Sequence, residues 1–218
     1  MFGAVGEAMN IYKPVVFLVD DDPSILKALP RALSQHGLEV EAYSSAIDFL
    51  DSYTDKPGCL ILDLSMPEMT GLELQTELSQ RNINIPIIFI TGHGGVPQSV
   101  QALRAGAIDF LEKPFLPEIL LQRIDEALAQ DHRDRARTRE EDDIRLRFAR
   151  LTDRERDVFR KLVEGNSVPS SKAMARELDI SHRTVEHHRS RILEKTQTAS
   201  VPELRALVKE VGLDLSEV

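Results

Sequence analysis

Reactive side chains are spread through the first 130 residues. Asp20 and Asp21 are adjacent acids, Asp63 is a lone aspartate, and Thr91 and Lys113 follow further along the chain. Carboxylates that are brought together repel one another, so keeping them ionised requires a cation, and oxygen ligands favour a hard ion such as Mg2+. Mg2+ shares its coordination sphere with phosphate oxygens. The residue types therefore indicate phosphoryl transfer onto a carboxylate, with Mg2+ as the cofactor.

Each of these residues has an expected role. Asp63 is the best acceptor, because it precedes a loop whose backbone could turn a carbonyl, that of Ser65, toward the metal. Lys113 would bring a positive charge to the phosphoryl oxygens. The Thr91 hydroxyl would donate a hydrogen bond to one of them.

The elements that must position these residues follow from the apolar pattern. Segments with helical spacing alternate with five strand-length runs, VVFLV at 15–19, LEVEAY at 38–43, CLIL at 59–62, PIIFI at 86–90 and IDFL at 108–111. Five strands alternating with five helices predict a parallel sheet covered on both faces. Ligands of such sheets bind beyond the carboxyl ends of the strands, which places the candidate groups on one edge.

Each signal also has a simpler interpretation. Asp20 to Asp22 precede Pro23 and could merely cap the next helix. The dipeptides Lys113-Pro114 and Thr91-Gly92 are common in loops and turns. Acids, a threonine and a lysine at the ends of four different strands are a much rarer combination, so together they favour a phosphoryl-transfer site.

The last 70 residues carry helix signals alone. Residues 131–147 mix both charge signs with good helix formers and are predicted to be a helical linker. Thr152 and Glu155 have the spacing of a capping box, which predicts a helix from Asp153. The pattern further predicts a second helix over 172–178, a turn at 179–180, a third helix capped by Ser181 and ending near Thr196, and a fourth helix that begins with a second capping box, Ser200 with Glu203, and ends at Gly212.

The third of these helices has two different faces. Val185 and Ile192 are seven residues apart and point one way, whereas the opposite face is polar. A short helix, a turn and a helix with a polar outer face describe a helix-turn-helix, whose second helix can enter the DNA major groove. An ordinary solvated helix surface is the alternative. The candidate phosphate contacts are Lys172, Thr184, Arg189, Arg191 and Lys195; Arg183 lies on the outer face, and Glu186, His187 and Ser190 are placed to meet base edges.

Composition limits the class of protein. The chain has 218 residues, 42% of them hydrophobic, with 27 basic and 36 acidic residues and a formal charge of -9. Its apolar runs are far shorter than the roughly 20 residues of a membrane-crossing helix, so no membrane association is expected. The first ten residues contain Glu7 and no lysine or arginine, which argues against a secretion signal and predicts a cytoplasmic protein. A single cysteine, Cys59, excludes internal disulfides and multi-thiolate metal sites.

Residues 14–130 resemble the receiver domain of response regulators, through the strings VDDDPSI, LDLSMPEMTGLEL, IPIIFITGHG and AGAIDFLEKPF. The resemblance implies that Asp20 and Asp21 are the metal-binding acids, Asp63 the phosphoacceptor and Thr91 the switch hydroxyl. It implies that Lys113 is the lysine of the phosphorylation site and that Phe110 is the aromatic switch residue. A core aromatic is the alternative for Phe110.

Residues 148–212 resemble the LuxR-type helix-turn-helix of FixJ/NarL-type regulators, through LTDRERDVFRKLVEG, AMARELDISHRTVEHHRSRILEK and SVPEL. The chain is about three residues longer than this pattern before Lys172, by Val168-Pro169-Ser170, so the turn before the second helix is expected to be remodelled. The implied fold is a flavodoxin-like (βα)5 parallel-sheet receiver domain followed by an all-α four-helix helix-turn-helix domain. The expected domains are an N-terminal extension (1–13), the receiver (14–130), the linker (131–147) and the DNA-binding domain (148–218).

Together these features predict a two-component transcription regulator and not an enzyme. A sensor histidine kinase would phosphorylate Asp63, and the phosphorylated chain would bind double-stranded DNA as a homodimer and act on RNA polymerase. The added charge at Asp63 would draw Thr91 and Lys113 toward it, and Phe110 would repack.

Two other functions remain open at this point. A phosphatase or phosphotransferase acting on an outside substrate is opposed by the absence of an Asp-x-Asp pair at Asp63 and of a G-x-x-x-x-G-K loop. A regulator that works independently of phosphorylation is the third hypothesis.

Overall fold

The computed structural model describes residues 13–92, 96–165 and 167–213. It divides into two compact units, Met1–Arg135 and Ala136–Val218, at a point within one long helix. The predicted N-terminal extension lies outside the described residues except for Lys13. Across the described ranges, no helix combines the length and the apolar character that a membrane span requires.

The first unit contains a parallel sheet with strand order β2-β1-β3-β4-β5, which confirms the predicted flavodoxin-like class. Its strands are β1 (Val15–Val19), β2 (Glu39–Tyr43), β3 (Gly58–Asp63), β4 (Ile87–Thr91) and β5 (Asp109–Glu112). Its helices are α1 (Pro23–Gln35), α2 (Ala46–Ser52), α3 (Gly71–Gln80), α4 (Val96–Arg104) and α5 (Pro117–Ala149), the last of which continues into the second unit.

The central strands are buried on both faces, as expected for a sheet covered by helices on each side. Phe17, Leu60 and Phe89 belong to the core on one face, and Leu18 and Ile61 to the core on the other. Successive side chains of a strand point to opposite faces, so the apolar runs supply both cores at once.

The second unit is helical throughout its described part. It contains the end of α5, then α6 (Asp153–Val163), α7 (Ser171–Glu177), α8 (His182–Thr196) and α9 (Val201–Val211). Phe148 from α5 and Phe159 from α6 are both fully buried, with ring centroids 5.3 Å apart. Val185 and Ile192 of α8 are buried in the same core, which confirms the predicted inner face of that helix.

Helix caps account for most of the boundaries in this unit. The Thr152 and Glu155 capping box forms, and α6 begins at Asp153 as predicted. The second helix begins at Ser171, one residue earlier than predicted, because Ser170 caps it by accepting from the Ala173 amide. The longer connection before α7 therefore supplies that helix with its cap.

The other predicted caps of this unit form with one difference. Ser181 caps α8 by accepting from the Thr184 amide. Ser200 caps α9, but the carboxylate of Glu203 accepts from the Ala199 amide, which lies one residue before the position expected in a capping box.

The structure places residues 131–147 within the continuous helix α5, and their role as a helical linker stays a prediction. Asp131 is 3% exposed and accepts from the Gly58 amide at 3.0 Å and from Arg135 Nε at 2.8 Å. Arg135 also contacts Asp55 and the Lys56 carbonyl. These contacts hold this part of α5 against the start of β3.

Candidate functional site

The carboxyl ends of four strands gather the predicted reactive residues at one edge of the sheet. Asp20 follows β1, Asp63 ends β3, Thr91 ends β4 and Lys113 follows β5. The pairing of β3 with β4 places Asp63 opposite Ile90. The parallel register thus brings residues that are up to 93 positions apart in the chain to one place.

Lys113 joins the two buried acids. Its Nζ lies 2.7 Å from Asp20 Oδ2 and 2.8 Å from Asp63 Oδ1. Asp20 is 1% exposed and Asp63 is 6% exposed, whereas the Lys113 side chain is 21% exposed. Two carboxylates are thus held together by one ammonium group at the boundary between core and solvent.

Backbone amides fix the remaining carboxylate oxygens. Asp63 Oδ2 accepts from the Ser65 amide at 2.7 Å, and Asp20 Oδ1 accepts from the Asp22 amide at 2.9 Å. Asp22 itself caps α1 by accepting from the Ser24 amide, so the capping interpretation is correct for this one of the three acids. Each buried acid therefore has both oxygens oriented.

The charges of this cluster are shifted by burial and by pairing. Burial raises the pKa of Asp20 above its ordinary value, although its hydrogen bond to Lys113 acts in the opposite direction. Burial alone would lower the pKa of Lys113, but its bonds to Asp20 and Asp63 outweigh this and raise the pKa above its ordinary value. Lys113 is therefore held as a cation at neutral pH.

Asp20 and Asp63 offer carboxylate oxygens, which are the ligands that Mg2+ prefers. One oxygen of each acid already approaches the same positive charge, the Lys113 ammonium group. Asp21, by contrast, is exposed. The described residues contain no group of three acidic, histidine or cysteine side chains able to hold a metal, so the predicted cluster of three carboxylates does not form here. The Ser65 amide contacts Asp63, and a metal contact by the Ser65 carbonyl stays a prediction.

The two predicted switch residues lie on adjacent strands. Thr91 is 1% exposed, and its carbonyl accepts from the Lys113 amide at 2.7 Å. Phe110 of β5 is partly buried against the core, with its ring centroid 6.2 Å from that of Phe89 on β4. These positions agree with the core interpretation of Phe110, and its switch role stays a prediction.

Gly71 shapes this site although it is not among the residues predicted from the sequence. It begins α3, and its amide donates to the Leu64 carbonyl just after β3. A Cβ atom at Gly71 would lie 2.4 Å from the Asp63 carbonyl oxygen and 2.9 Å from Phe89 Cε1. Only glycine lets α3 approach the backbone of Asp63 so closely. The sequence signal of this position is the dipeptide Thr70-Gly71 at the start of the helical pattern of α3.

In the second unit, the candidate DNA contacts are mostly accessible. Lys172 is exposed on α7, and Thr184 and Arg189 are half-buried on α8. The Thr184 hydroxyl is hydrogen-bonded to Ser181 at the helix cap, and Arg191 is paired with Glu194. The exposed candidates on α8 are Arg183, Glu186, His187, Ser190 and Arg191.

Lys195 has a different environment from the other candidates. Its Nζ lies 2.5 Å from Glu155 Oε2 on α6 and 3.0 Å from the Arg150 carbonyl oxygen. Glu155 is 5% exposed. Moving Lys195 to a phosphate would leave this buried carboxylate without its cation. We therefore assign Lys195 a structural role, and its phosphate contact stays a prediction.

The Glu155–Lys195 pair leads to a pH-dependent prediction. Burial alone would raise the pKa of Glu155, but its bonds to Lys195 and Thr152 outweigh this and lower the pKa. A carboxyl group whose pKa is lowered on folding stabilises the folded state at neutral pH. This stabilisation is lost as the pH falls through the folded-state pKa. Glu155→Gln keeps an oxygen for the capping box but loses the charge, and we expect it to reduce the free energy of unfolding at pH 7 by about 1–2 kcal/mol.

Urea unfolding of the full chain, followed by circular dichroism at pH 7 and at about pH 4, tests this. The difference between wild type and Glu155→Gln should shrink at the lower pH, because the unfolded wild-type chain begins to protonate Glu155 before the folded chain does, which favours unfolding. Glu203→Gln is the matched control, since Glu203 has the corresponding place at the start of α9 and is exposed. Equal effects of the two substitutions at pH 7 would contradict the assignment.

Two family models match this chain. The response regulator receiver domain matches residues 16–125, and the LuxR family of bacterial regulatory proteins matches residues 149–208. Together the matched ranges span both structural units.

Curated relatives match over nearly the whole chain. The response regulator protein TmoT of Ectopseudomonas mendocina is 41% identical over 197 residues, which cover 90% of this chain and 88% of that protein. The transcriptional regulatory protein FixJ of Rhizobium meliloti is 42% identical over 190 residues, 87% of this chain and 92% of that one.

Solved structures match as well. The response regulator StyR is 40% identical, with a TM-score of 0.77, over 91% of this chain and 99% of that one. Full-length FixJ from B. japonicum is 35% identical, with a TM-score of 0.55, over 93% of this chain and 100% of that one.

Proposed function

This chain belongs to the response regulators of two-component systems that join a receiver domain to a LuxR-type DNA-binding domain, and on that premise we propose that Asp63 is its phosphoacceptor. Its relatives are transcription regulators, which sets aside the enzyme alternative. The observation that carries the proposal is the contact of Lys113 Nζ with both Asp20 and Asp63, at 2.7 and 2.8 Å.

The donor is the phosphohistidine of a sensor histidine kinase. A carboxylate oxygen of Asp63 forms a bond to phosphorus while the phosphorus–nitrogen bond breaks, and the histidine leaves with the electron pair and takes up a proton. Mg2+, held by Asp20 and Asp63 with Asp21 and the Ser65 carbonyl as further candidate ligands, would offset negative charge on the phosphoryl oxygens.

The chain's own residues prepare the acceptor. The Lys113 ammonium lies 2.8 Å from Asp63 Oδ1 and so holds one oxygen of the acceptor in place. The Ser65 amide fixes the rotation of the carboxylate by holding Oδ2. After transfer, the Lys113 ammonium and the Thr91 hydroxyl bind the new phosphoryl oxygens.

Phosphorylation acts by shifting an equilibrium between two states of the receiver. It adds nearly two negative charges beside Lys113 and Thr91, and Phe110 repacks behind Thr91 as that residue moves. Driving the receiver from 1:99 to 99:1 requires about 5.5 kcal/mol. A homodimer that forms only in the active state contributes part of this free energy, and it matches two half-sites of DNA.

The second unit supplies the output of this switch. Helix α8 enters the major groove, with Lys172, Arg183, Arg189 and Arg191 at phosphates and His187 and Ser190 at base edges. RNA polymerase is the partner through which the DNA-bound regulator changes transcription. The protein acts in the cytoplasm, where its DNA lies. Its domains are the receiver (14–130), the connecting helix (131–147) and the DNA-binding domain (148–218).

Acetyl phosphate tests the proposal directly. We expect the purified chain to gain the mass of one phosphoryl group in the presence of Mg2+ and much less in its absence, as measured on the intact protein. Footprinting on genomic DNA with and without acetyl phosphate should show sites that are protected only by the phosphorylated protein. A chain that gains no phosphoryl group at any Mg2+ concentration would contradict the proposal.

A further inference from the structure

Glu186 lies in the middle of the polar face of α8 but is bonded to a neighbouring helix. Its Oε1 accepts a hydrogen bond from the Ser171 hydroxyl on α7. His182 Nε2 lies 3.8 Å from the same oxygen. No hydrogen bond to Oε2 forms within the part of the chain that the structure describes, and the side chain remains 48% exposed.

Ser171 is well suited to hold this carboxylate. It is the first residue of α7 and is 8% exposed, so its hydroxyl has little freedom to bond elsewhere. A carboxylate with one oxygen anchored loses much of its rotational freedom before any partner arrives, and a preorganised contact binds more tightly than a mobile one. The contact therefore fixes the direction in which Glu186 Oε2 points.

We propose that Glu186 selects a cytosine in the DNA site and that Ser171 is the positioning residue that aims it, an inference that rests on the proposed function. A carboxylate can only accept hydrogen bonds, so in the major groove it can pair only with amino groups. Cytosine N4 has an acceptor on one side only, O6 of its paired guanine, whereas adenine N6 lies between its own N7 and O4 of the paired thymine. Repulsion from N7 therefore makes adenine the poorer partner.

The surroundings of Glu186 permit an acid on this surface. Arg183 and Arg189 lie three residues before and after it on α8, where side chains are neighbours on the helix surface. Neither arginine forms an ion pair with a described residue, so both can meet phosphates on either side of the acid. DNA phosphates would otherwise repel Glu186.

Selection of preferred sites from a random duplex pool tests the inference. The full-length chain is used, treated with acetyl phosphate and Mg2+, and base frequencies are measured at each position of the recovered motif. We expect wild type to require cytosine at one position in each half-site. Glu186→Ala should reduce that preference roughly five- to tenfold and leave the other positions unchanged.

The remaining variants distinguish a role of Ser171 in positioning Glu186 from a role in stabilising the fold alone. Ser171→Ala should weaken the preference at the same position while Glu186 stays present. Glu186→Gln can still accept from Ser171 but adds an amide donor, so it should broaden the preference beyond cytosine. Ser167→Ala and Glu210→Gln are the matched controls, because both residues are exposed and lie outside α8; neither control should change the motif.

The outcomes are distinguishable. A motif that is identical in wild type and Glu186→Ala overturns the inference and leaves the proposed function standing. Uniform loss of affinity at every position in Ser171→Ala and Glu186→Ala, together with a lower melting temperature, assigns the contact to folding and also overturns it. Failure of the wild-type chain to select any motif would overturn the proposed function and the inference with it.

Discussion

The Asp63→Asn chain is expected to gain no phosphoryl group from acetyl phosphate under conditions that modify the wild type. The amide keeps the shape of the side chain, and its single oxygen can still accept from either Lys113 or the Ser65 amide, so the site should remain folded. It lacks the anionic oxygen that attacks phosphorus. Intact-mass measurement with Mg2+ present should therefore show complete loss of the modification.

Asp51→Asn is the matched control for this substitution. Asp51 lies on α2 and is exposed, and it is not one of the residues at the strand ends that form the site. The control should be phosphorylated like the wild type. Modification of the Asp63→Asn chain to the wild-type extent would place the acceptor elsewhere.

The same pair of variants tests the coupling to DNA. Acetyl phosphate should increase DNA binding by wild type and Asp51→Asn, and should have no effect on Asp63→Asn. If Asp63→Asn bound its sites and regulated transcription like the wild type, the second unit would work independently of phosphorylation. That outcome would favour the third of the functions that the sequence leaves open.

The receiver site could be predicted from the sequence because its reactive residues follow apolar runs of strand length. In a parallel sheet, the ends of such runs meet at one edge, so the proximity of Asp20, Asp63 and Lys113 follows from topology. The topology does not determine the position of the adjacent Asp21 side chain. Side chains at successive positions of an extended chain point in different directions, and the structure buries Asp20 while leaving Asp21 exposed.

The polar face of α8 was harder to predict, because helical spacing describes one helix and not its neighbours. Val185 and Ile192 were correctly placed in the core from their spacing alone. The pairing of Lys195 with Glu155 could not be predicted, because Glu155 lies 40 residues earlier in the chain. Ser171 lies 15 residues before Glu186, and no periodic pattern joins them. Contacts between helices depend on the packing angle, which the spacing within one helix does not determine.

Gly71→Ala is expected to have the largest effect on stability among the substitutions considered. The added Cβ would lie 2.4 Å from the Asp63 carbonyl oxygen, closer than two such atoms can approach. Both groups belong to the backbone, so the contact cannot be relieved by rotating a flexible side chain. Either α3 or the end of β3 must shift, and overpacking of this kind costs about 1–3 kcal/mol.

Gly92→Ala provides the comparison, because a Cβ atom at Gly92 would meet nothing within 4 Å. Urea unfolding of the full chain should show a large decrease in stability for Gly71→Ala and a change within about 0.5 kcal/mol for Gly92→Ala. Equal stabilities of the two variants would show that α3 does not press on β3 as the structure indicates.

Phosphorylation of the folded fraction of Gly71→Ala adds a second measurement. Because the contact is with the Asp63 backbone, a shift of the end of β3 that relieves it moves the acceptor relative to Lys113, whose Nζ is only 2.8 Å from the carboxylate. The rate of phosphoryl uptake should therefore fall even where the variant remains folded, since small displacements of reacting groups reduce rates strongly. A slower rate in Gly71→Ala but not in Gly92→Ala would show that the close approach of α3 positions the acceptor as well as stabilising the fold.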